Sequence, residues 1–219
     1  YLYKILKGEK INKFSVDELK NKFFLIDTSF LTLNIDNEVS KSFQLSVNKI
    51  KKSGARIREI NFKEIIMATN LAKKLFPYEA YNTWKKNIEG NPEKMHPPVL
   101  SRFLGGANIS NNEYLEAWKV LKLLRNDLIL KISDYSAIIA PTCPIMPPLV
   151  KELTENNDYF SSCNLKALRN TRVANLFGLS SISLPTEISN CGLMLLSKPD
   201  NEIDLLSTAY LIEQYFKKN

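Results

Sequence analysis

FFLIDTSFLTLNIDNEVSKSFQLSVNKIKKSGARIREI, Phe23 to Ile60, changes its hydrophobic period twice within one run. Phe23–Asp27 (FFLID) is a short apolar segment of the kind that forms a buried strand. From Asp36 to Ser53 apolar residues recur at Val39, Phe43, Val47 and Ile50, a spacing of three and four that lines one face of a helix, and Gly54 follows as its terminator. Ala55–Ile60 (ARIREI) then alternates apolar with charged side chains, the period of a half-buried strand. Strand, helix, strand with a crossover helix favours a parallel pair joined by a right-handed connection. The expected class is α/β, a mixed sheet flanked by helices.

Outward from this unit the alternation continues. Residues 63–104 read as helical segments broken at Pro77, at Gly90-Asn91-Pro92 and at Pro97-Pro98. Ser110-Asn111-Asn112-Glu113 is a capping box opening a long helix whose apolar face includes Leu115, Trp118, Leu121, Leu124 and Leu128. Ser136–Ala140 (SAIIA) is a strand candidate running into Pro141-Thr142-Cys143-Pro144-Ile145-Met146-Pro147-Pro148, where four prolines in eight residues forbid a helix. A helix over Asn164–Phe177 closed by Gly178 comes next, with Leu165, Leu168 and Leu176 toward the core. Strands at Ser181–Leu184 and Gly192–Leu196 and a helix from about Asn201 to Phe216 complete the chain. No repeat or low-complexity linker marks a boundary, so residues 1–219 are expected to belong to one domain.

At 219 residues and 44% hydrophobic, the chain can bury a substantial core. No window approaches the roughly 18 uninterrupted apolar residues of a membrane span, and YLYKILKGEK lacks the apolar region of a signal peptide. Cys143, Cys163 and Cys191 lie far apart with no CxxC pair, which fits a reducing, cytoplasmic setting and suggests neither a zinc site nor a disulfide framework. The net charge of +7 is spread as pairs such as Lys51/Lys52, Lys73/Lys74, Lys85/Lys86 and Lys217/Lys218, the pattern of solvated helix faces. With no basic block and no interleaved aromatics, a dedicated nucleic-acid role is not indicated.

SDYSAIIAPTCPIMPP (133–148), LRNTRVANLFGLSSISLP (168–185) and GLMLLSKPDNEIDLLSTAYLIEQ (192–214), in that order, resemble the C-terminal part of the amidase signature family of serine hydrolases. The shared features are a strand ending in a Pro-Thr-x-Pro turn, an Asn-x-x-Gly-x-x-x-x-Ser-x-Pro segment and a Gly-Leu-x-Leu strand before a closing helix. NKFFLIDTSF, KKSGARIREI and SRFLGGANISNNEYLEAWKVLKLLRND sit where that family has a strand, a helix-strand pair and a long helix. The resemblance implies the C-terminal part of an amidase-signature fold, hydrolysis of carbon–nitrogen amide bonds and a small-molecule amide as substrate. From the residues themselves no cofactor is expected, since no Gly-rich loop follows a strand, and metal binding fails for want of ligands.

The resemblance also exposes an absence. Family members use a serine nucleophile, a second serine on a cis peptide bond and a lysine, with the first serine in a Gly/Ser-rich signature. Gly105-Gly106 in FLGGANIS falls instead at a helix-helix turn, so no catalytic residue carries over. LKGEKINKFSVDELKNKFFLID looks like the segment just after the signature. The expectation is a C-terminal half that lacks its N-terminal half and is inactive alone. The alternatives are a noncatalytic binding or assembly module and part of a tRNA-dependent amidotransferase.

Independent of the family, the sole histidine, His96 in the turn-like MHPP, has the bland reading of an exposed loop residue, and a Ser/His or Cys/His site would need it. Asp27, Asp127, Asp134, Asp158 and Glu187 show no spacing that pairs two carboxylates on one element. The serines Ser180, Ser181 and Ser183 sit next to no base evident in the sequence. The resemblance, by contrast, implies substrate contact by Arg169, Thr171 and Arg172, since this segment lies beside the active site in that family; the alternative is that it only stitches a helix to a strand, with Asn175 and Gly178 as its cap. Thr142, in the stiff turn leaving a strand end, is the fourth candidate, since α/β proteins place ligand contacts there. Its structural alternative is a proline turn that protects a strand edge. Glu187-Ile188-Ser189-Asn190-Cys191 replaces the Gly-containing loop usual before the Gly-Leu strand, which leaves the local pocket shape open.

Overall fold

Phe24 and Ile26 point to one face of a sheet and Leu25 to the other, and that alternation organises the molecule into three layers. The computed structural model describes residues 7–8 and 18–218. Among them β1 (Phe23–Asp27), β2 (Arg56–Ile60), β3 (Ala137–Pro141), β4 (Ser180–Pro185) and β5 (Gly192–Ser197) form one sheet in the order β2-β1-β3-β5-β4. β1 runs parallel to β2 and β3, whereas β5 is antiparallel to β3 and β4. The sheet is therefore mixed, with the expected parallel pair at its opening. The opening segment LKGEKINKFSVDELKNK lies mostly outside the described residues.

α1 (Asn37–Lys52) buries Val39, Phe43, Val47 and Ile50, the residues its spacing singled out. Gly54, at φ +88°, turns the chain into β2. With α8 (Glu202–Lys218), which contributes Leu205 and Ile212, α1 covers the sheet face carrying Phe24, Ile26, Ile139, Leu193 and Leu195. The other face, with Leu25, Ile138, Ala140, Met194 and Leu196, is covered by α2 (Lys63–Gly90), α4 (Asn111–Ile132) and α7 (Thr171–Phe177) through Ile65, Leu75, Leu121, Leu128, Val173 and Phe177. Each such Leu, Ile or Phe, taken wholly out of water, contributes about 1.5–3 kcal/mol. β3 is buried along its full length, as a central strand covered on both faces should be. The edge strands differ in kind: β2 carries Arg56, Arg58 and Glu59, and β4 ends in Pro185, devices that discourage pairing with another chain.

Two sequence expectations are corrected. Pro77 does not break the helix; α2 runs through it. A mid-helix proline costs about 3 kcal/mol, and contacts to α4 on either side hold the helix together. Lys74 pairs with Glu113 (3.1 Å), Tyr78 stacks on Tyr114 (4.2 Å between ring centres), and Glu79 accepts hydrogen bonds from Tyr114 (2.9 Å) and Trp118 (3.2 Å). Ser110 and Glu113 form the predicted capping box at the start of α4, although Leu115 is exposed.

The second correction bears on function. The helix expected over Asn164–Phe177 is two helices, α6 (Asn157–Ala167) and α7, broken by a turn at Leu168–Asn170. Leu165 and Leu168 are exposed rather than directed to the core, whereas Leu176 is buried. Gly178, at φ +65°, closes α7 as predicted, and Arg125 Nε donates to the Leu176 carbonyl at 2.6 Å. The remaining α-helices among the described residues are α3 (Pro97–Leu104) and α5 (Val150–Glu155).

Candidate functional site

The carboxyl ends of β1 and β3 lie side by side, and a turn that the sequence disguised as helix is fastened across them. Asn170 is fully buried; its Nδ2 donates to the carbonyls of Leu31 (2.9 Å) and Pro141 (2.8 Å). One side chain thus ties the α6–α7 turn to the loop after β1 and to the end of β3. The loop after β1 is itself built on Asp27, also fully buried. Its carboxylate accepts from the backbone of Ser29, Phe30, Leu31 and Phe62 and from the Ser29 hydroxyl. Asp27 is a structural anchor with its acceptors occupied, not a free acid or base.

Arg169 leans from this turn onto the Phe30 ring, 5.4 Å from its centre. Its Nε donates to Asn170 Oδ1 (3.2 Å), Nη1 makes a long contact of 3.5 Å with the Asn34 carbonyl, and Nη2 is buried without a hydrogen-bond partner. Burial pushes the guanidinium below its ordinary value, opposed by the neighbouring Cys143 thiol. A donor left unpaired at the carboxyl end of a sheet is suited to an incoming acceptor.

Thr142 sits on the same sheet face. Its amide donates to the Gly192 carbonyl (2.8 Å), continuing the β3–β5 pairing past Pro141, and its Oγ1 meets Ser183 Oγ of β4 at 2.6 Å. The two hydroxyls come from strands on opposite sides of β5. They reach each other because Gly192 has no side chain: a Cβ there would lie 2.7 Å from both oxygens. The proline segment beyond is held down by Asp36, whose Oδ2 accepts from the Met146 amide (2.8 Å) and whose own amide donates to the Pro144 carbonyl (2.9 Å).

Arg172 points elsewhere. It lines a cleft of about 920 Å³ between α2, α3, α6 and α7, walled by residues such as Phe76, Pro77, Phe103, Ile109 and Leu165. Burial lowers its guanidinium from the ordinary value, and the charge of Arg102, also in the cleft lining, lowers it further. Thr171 begins α7, is exposed, and donates its hydroxyl back to the Leu168 carbonyl at 3.3 Å. The four sequence candidates therefore divide: Thr142 and Arg169 at the strand ends, Arg172 in the helical cleft, Thr171 on the surface. Asn175, the other capping candidate, accepts through its carbonyl from Gly178 N at 3.3 Å.

Sequence reasoning missed Arg102, Asn170 as an anchor, and Gly192 as a spacer. The signal for Arg102 was a lone arginine beside the Gly105-Gly106 turn. Gly106 packs so tightly on α2 that a Cβ would lie 2.0 Å from the Pro77 carbonyl oxygen. One serine also departs from expectation: Ser180 Oγ donates to Glu202 Oε1 at 3.0 Å, at the opposite end of β4 from Thr142 and Pro185. Among the described residues no three His, Cys, Asp or Glu side chains gather to hold a metal ion, and no helix is long and apolar enough to cross a membrane.

The chain matches the family model described as Amidase over residues 8–206. A 2-amino-5-chloromuconic acid deaminase from Comamonas testosteroni is 24% identical over 194 residues, covering 86% of this chain and 42% of that protein. A glutamyl-tRNA(Gln) amidotransferase subunit from Sulfurisphaera tokodaii is 24% identical over 206 residues, covering 82% and 43%. An amidase crystal structure superposes with a TM-score of 0.80 at 22% identity, over 98% of this chain and 50% of that one, a likeness of fold. The chain spans less than half the length of these two curated relatives.

Proposed function

Because the chain belongs to the amidase family, we propose that it works as the C-terminal part of a hydrolase of carbon–nitrogen amide bonds, supplying core and one wall of the substrate cleft within a single domain. The observation that carries this reading is the Leu168–Asn170 turn. Pinned by Asn170 to the loop after β1 and to the end of β3, it carries Arg169 at the strand ends and leads into α7, whose Arg172 lines the cleft. In this reading Arg169 and Arg172 position the substrate, Thr142 lines the strand-end floor, and Thr171 contacts it from the rim.

Acyl transfer from an amide needs an activated nucleophile, a proton donor for the leaving amine and donors for the oxyanion. Among the described residues Ser183 is paired with the Thr142 hydroxyl, and Ser42 with the Thr186 hydroxyl at 2.7 Å. Ser180 faces a carboxylate, far too weak a base to activate a serine hydroxyl by itself. The reading therefore has the nucleophile and its base come from outside these 219 residues. A second reading, part of a tRNA-dependent amidotransferase, is favoured by the likeness to a protein of that name. Binding separates them: titrating the chain with benzamide while following amide resonances should shift signals at Thr142, Arg169 and Arg172. Shifts confined to other surfaces would contradict the cleft assignment, and salt-sensitive tRNA binding at those residues would favour the second reading.

A further inference from the structure

Cys143 and Cys191 lie far apart in the sequence, yet the sheet sets them against each other. β3 and β5 pair antiparallel as far as Pro141 opposite Leu193, and the Thr142 amide carries the ladder one step further by donating to the Gly192 carbonyl at 2.8 Å. The next residues in that register are Cys143 and Cys191. Opposite residues of an antiparallel pair share a face. Thr142 and Gly192 share theirs with Ser183, so the two thiols fall on the other. A third sulfur joins them: Met146, across the Pro144-Ile145 bend from Cys143, holds its Sδ 3.6 Å from Cys191 Sγ. Both cysteines are free and half-buried. The backbone that carries the three sulfurs is fixed by bonds that use none of them. Asp36 takes the Met146 amide (2.8 Å) and gives its own to the Pro144 carbonyl (2.9 Å), while the Cys191 amide donates to the Ile188 carbonyl (3.2 Å). The Thr186 hydroxyl lies 3.2 Å from the Cys191 carbonyl. As packing, one thiol–thioether contact is a weak hydrogen bond. Two thiols and a thioether on fixed backbone, half open to solvent, are also the donor set of a soft cation.

We propose that Cys143, Met146 and Cys191 form a binding site for one Cu(I) ion, held by two thiolates and a thioether. On binding, each thiol releases its proton to solvent, the two sulfurs so freed and a Met146 lone pair bond the copper, and the metal stays Cu(I). The complex carries one net negative charge. The Arg169 guanidinium, which has the Cys143 thiol as a neighbour and an Nη2 without a hydrogen-bond partner, supplies a countercharge. Thiolate and thioether ligands select Cu(I) over harder ions. Zn²⁺ takes four ligands, commonly including histidine or carboxylate, and among the described residues no such group gathers with these cysteines. Because two of the ligands stand on the turn after β3 and the third on the loop between β4 and β5, the bound ion would fasten those loops together one residue beyond Thr142. The proposal is independent of the amidase reading.

The test titrates the 219-residue chain, without oxygen, with Cu(I) buffered by bathocuproine disulfonate, whose colour reports the copper the protein removes. One ion per chain is expected. C143S and C191S should each weaken binding by roughly a hundredfold or more, and M146L, which keeps the side-chain bulk, by roughly tenfold. C163S should bind as the parent does, since Cys163 is buried on α6. Far-UV circular dichroism of the metal-free variants should match the parent, and X-ray absorption at the copper edge should find sulfur neighbours alone. Zn²⁺ should bind at least roughly a hundredfold more weakly than Cu(I). Copper taken up in proportion to the number of thiols, with C163S losing as much as C143S, would overturn the proposal. So would M146L or C143S binding like the parent, nitrogen or oxygen among the copper's neighbours, or Zn²⁺ held as tightly as Cu(I).

Discussion

Thr142 Oγ1 and Ser183 Oγ meet at 2.6 Å across β5, over the one residue of that strand without a side chain, Gly192. The contact joins β3 to β4 without passing through the backbone of the strand between them. A methyl group at 192 would fall 2.7 Å from both oxygens. Gly192→Ala should therefore destabilise the chain by about 1–3 kcal/mol, the range for overpacking a fitted site. Adding Ser183→Ala, which removes one of the two oxygens, should recover part of the loss. Urea unfolding of the single and double variants measures both effects; additive losses would show that the hydroxyl pair is not what the methyl displaces.

Asn170 supplies a second prediction, because its Nδ2 serves two backbone carbonyls in a buried site. Asn170→Ala leaves both acceptors without that donor and should cost about 2–4 kcal/mol. Asn170→Asp is expected to be worse at neutral pH, where a carboxylate would face two carbonyl oxygens, and to recover partly in acid as it protonates. Denaturation of the two variants at acidic and mildly alkaline pH checks the order. An aspartate variant as stable as the parent in mild alkali would show that the turn does not depend on this side chain.

The third prediction concerns pH. Burial pushes the Glu64 carboxyl up, but the Lys131 hydrogen bond at 2.6 Å, a backbone hydrogen bond and the charges of Lys131 and Lys63 together hold it below its ordinary value. A depressed carboxylate contributes stability above its unfolded value, about pH 4.3. That contribution is lost as pH falls through the lower folded value. Glu64→Gln should flatten the acid limb of the stability profile. Lys131→Met should lower stability at neutral pH by about 1 kcal/mol, since Lys131 is half exposed and solvent screens the pair. An acid limb unchanged in Glu64→Gln would remove the linkage.

These residues also show where sequence stops being informative. The β1–α1–β2 unit was legible because its signals are local: the apolar run Phe23–Asp27, the three-four spacing from Val39 to Ile50, and Gly54 at positive φ. The Ser110–Glu113 box is equally local. The break at Leu168–Asn170 was not, because the partners that hold Asn170, Leu31 and Pro141, lie 139 and 29 residues away. Pro77 misled for the same reason: the contacts that carry α2 past it come from α4. Of the candidate site, Arg169, Arg172 and Thr142 were named from sequence, but their division between strand ends and cleft needed the turn. Arg102 offered only its place beside the Gly105-Gly106 turn, with no periodicity or motif to mark it.

The most direct measurement exposes the chain to a serine-directed fluorophosphonate probe and a panel of aryl and aliphatic amides, alone and as the complete product of its gene. No labelling and no turnover are expected of the 219 residues alone, and both are expected of the complete product. In that product Arg172→Gln should raise KM or lower kcat while leaving labelling intact, since positioning a substrate does not activate the nucleophile. Labelling or turnover by the 219 residues alone, or a complete product that is inert toward every amide, would contradict the reading of this chain as one wall of an amidase cleft.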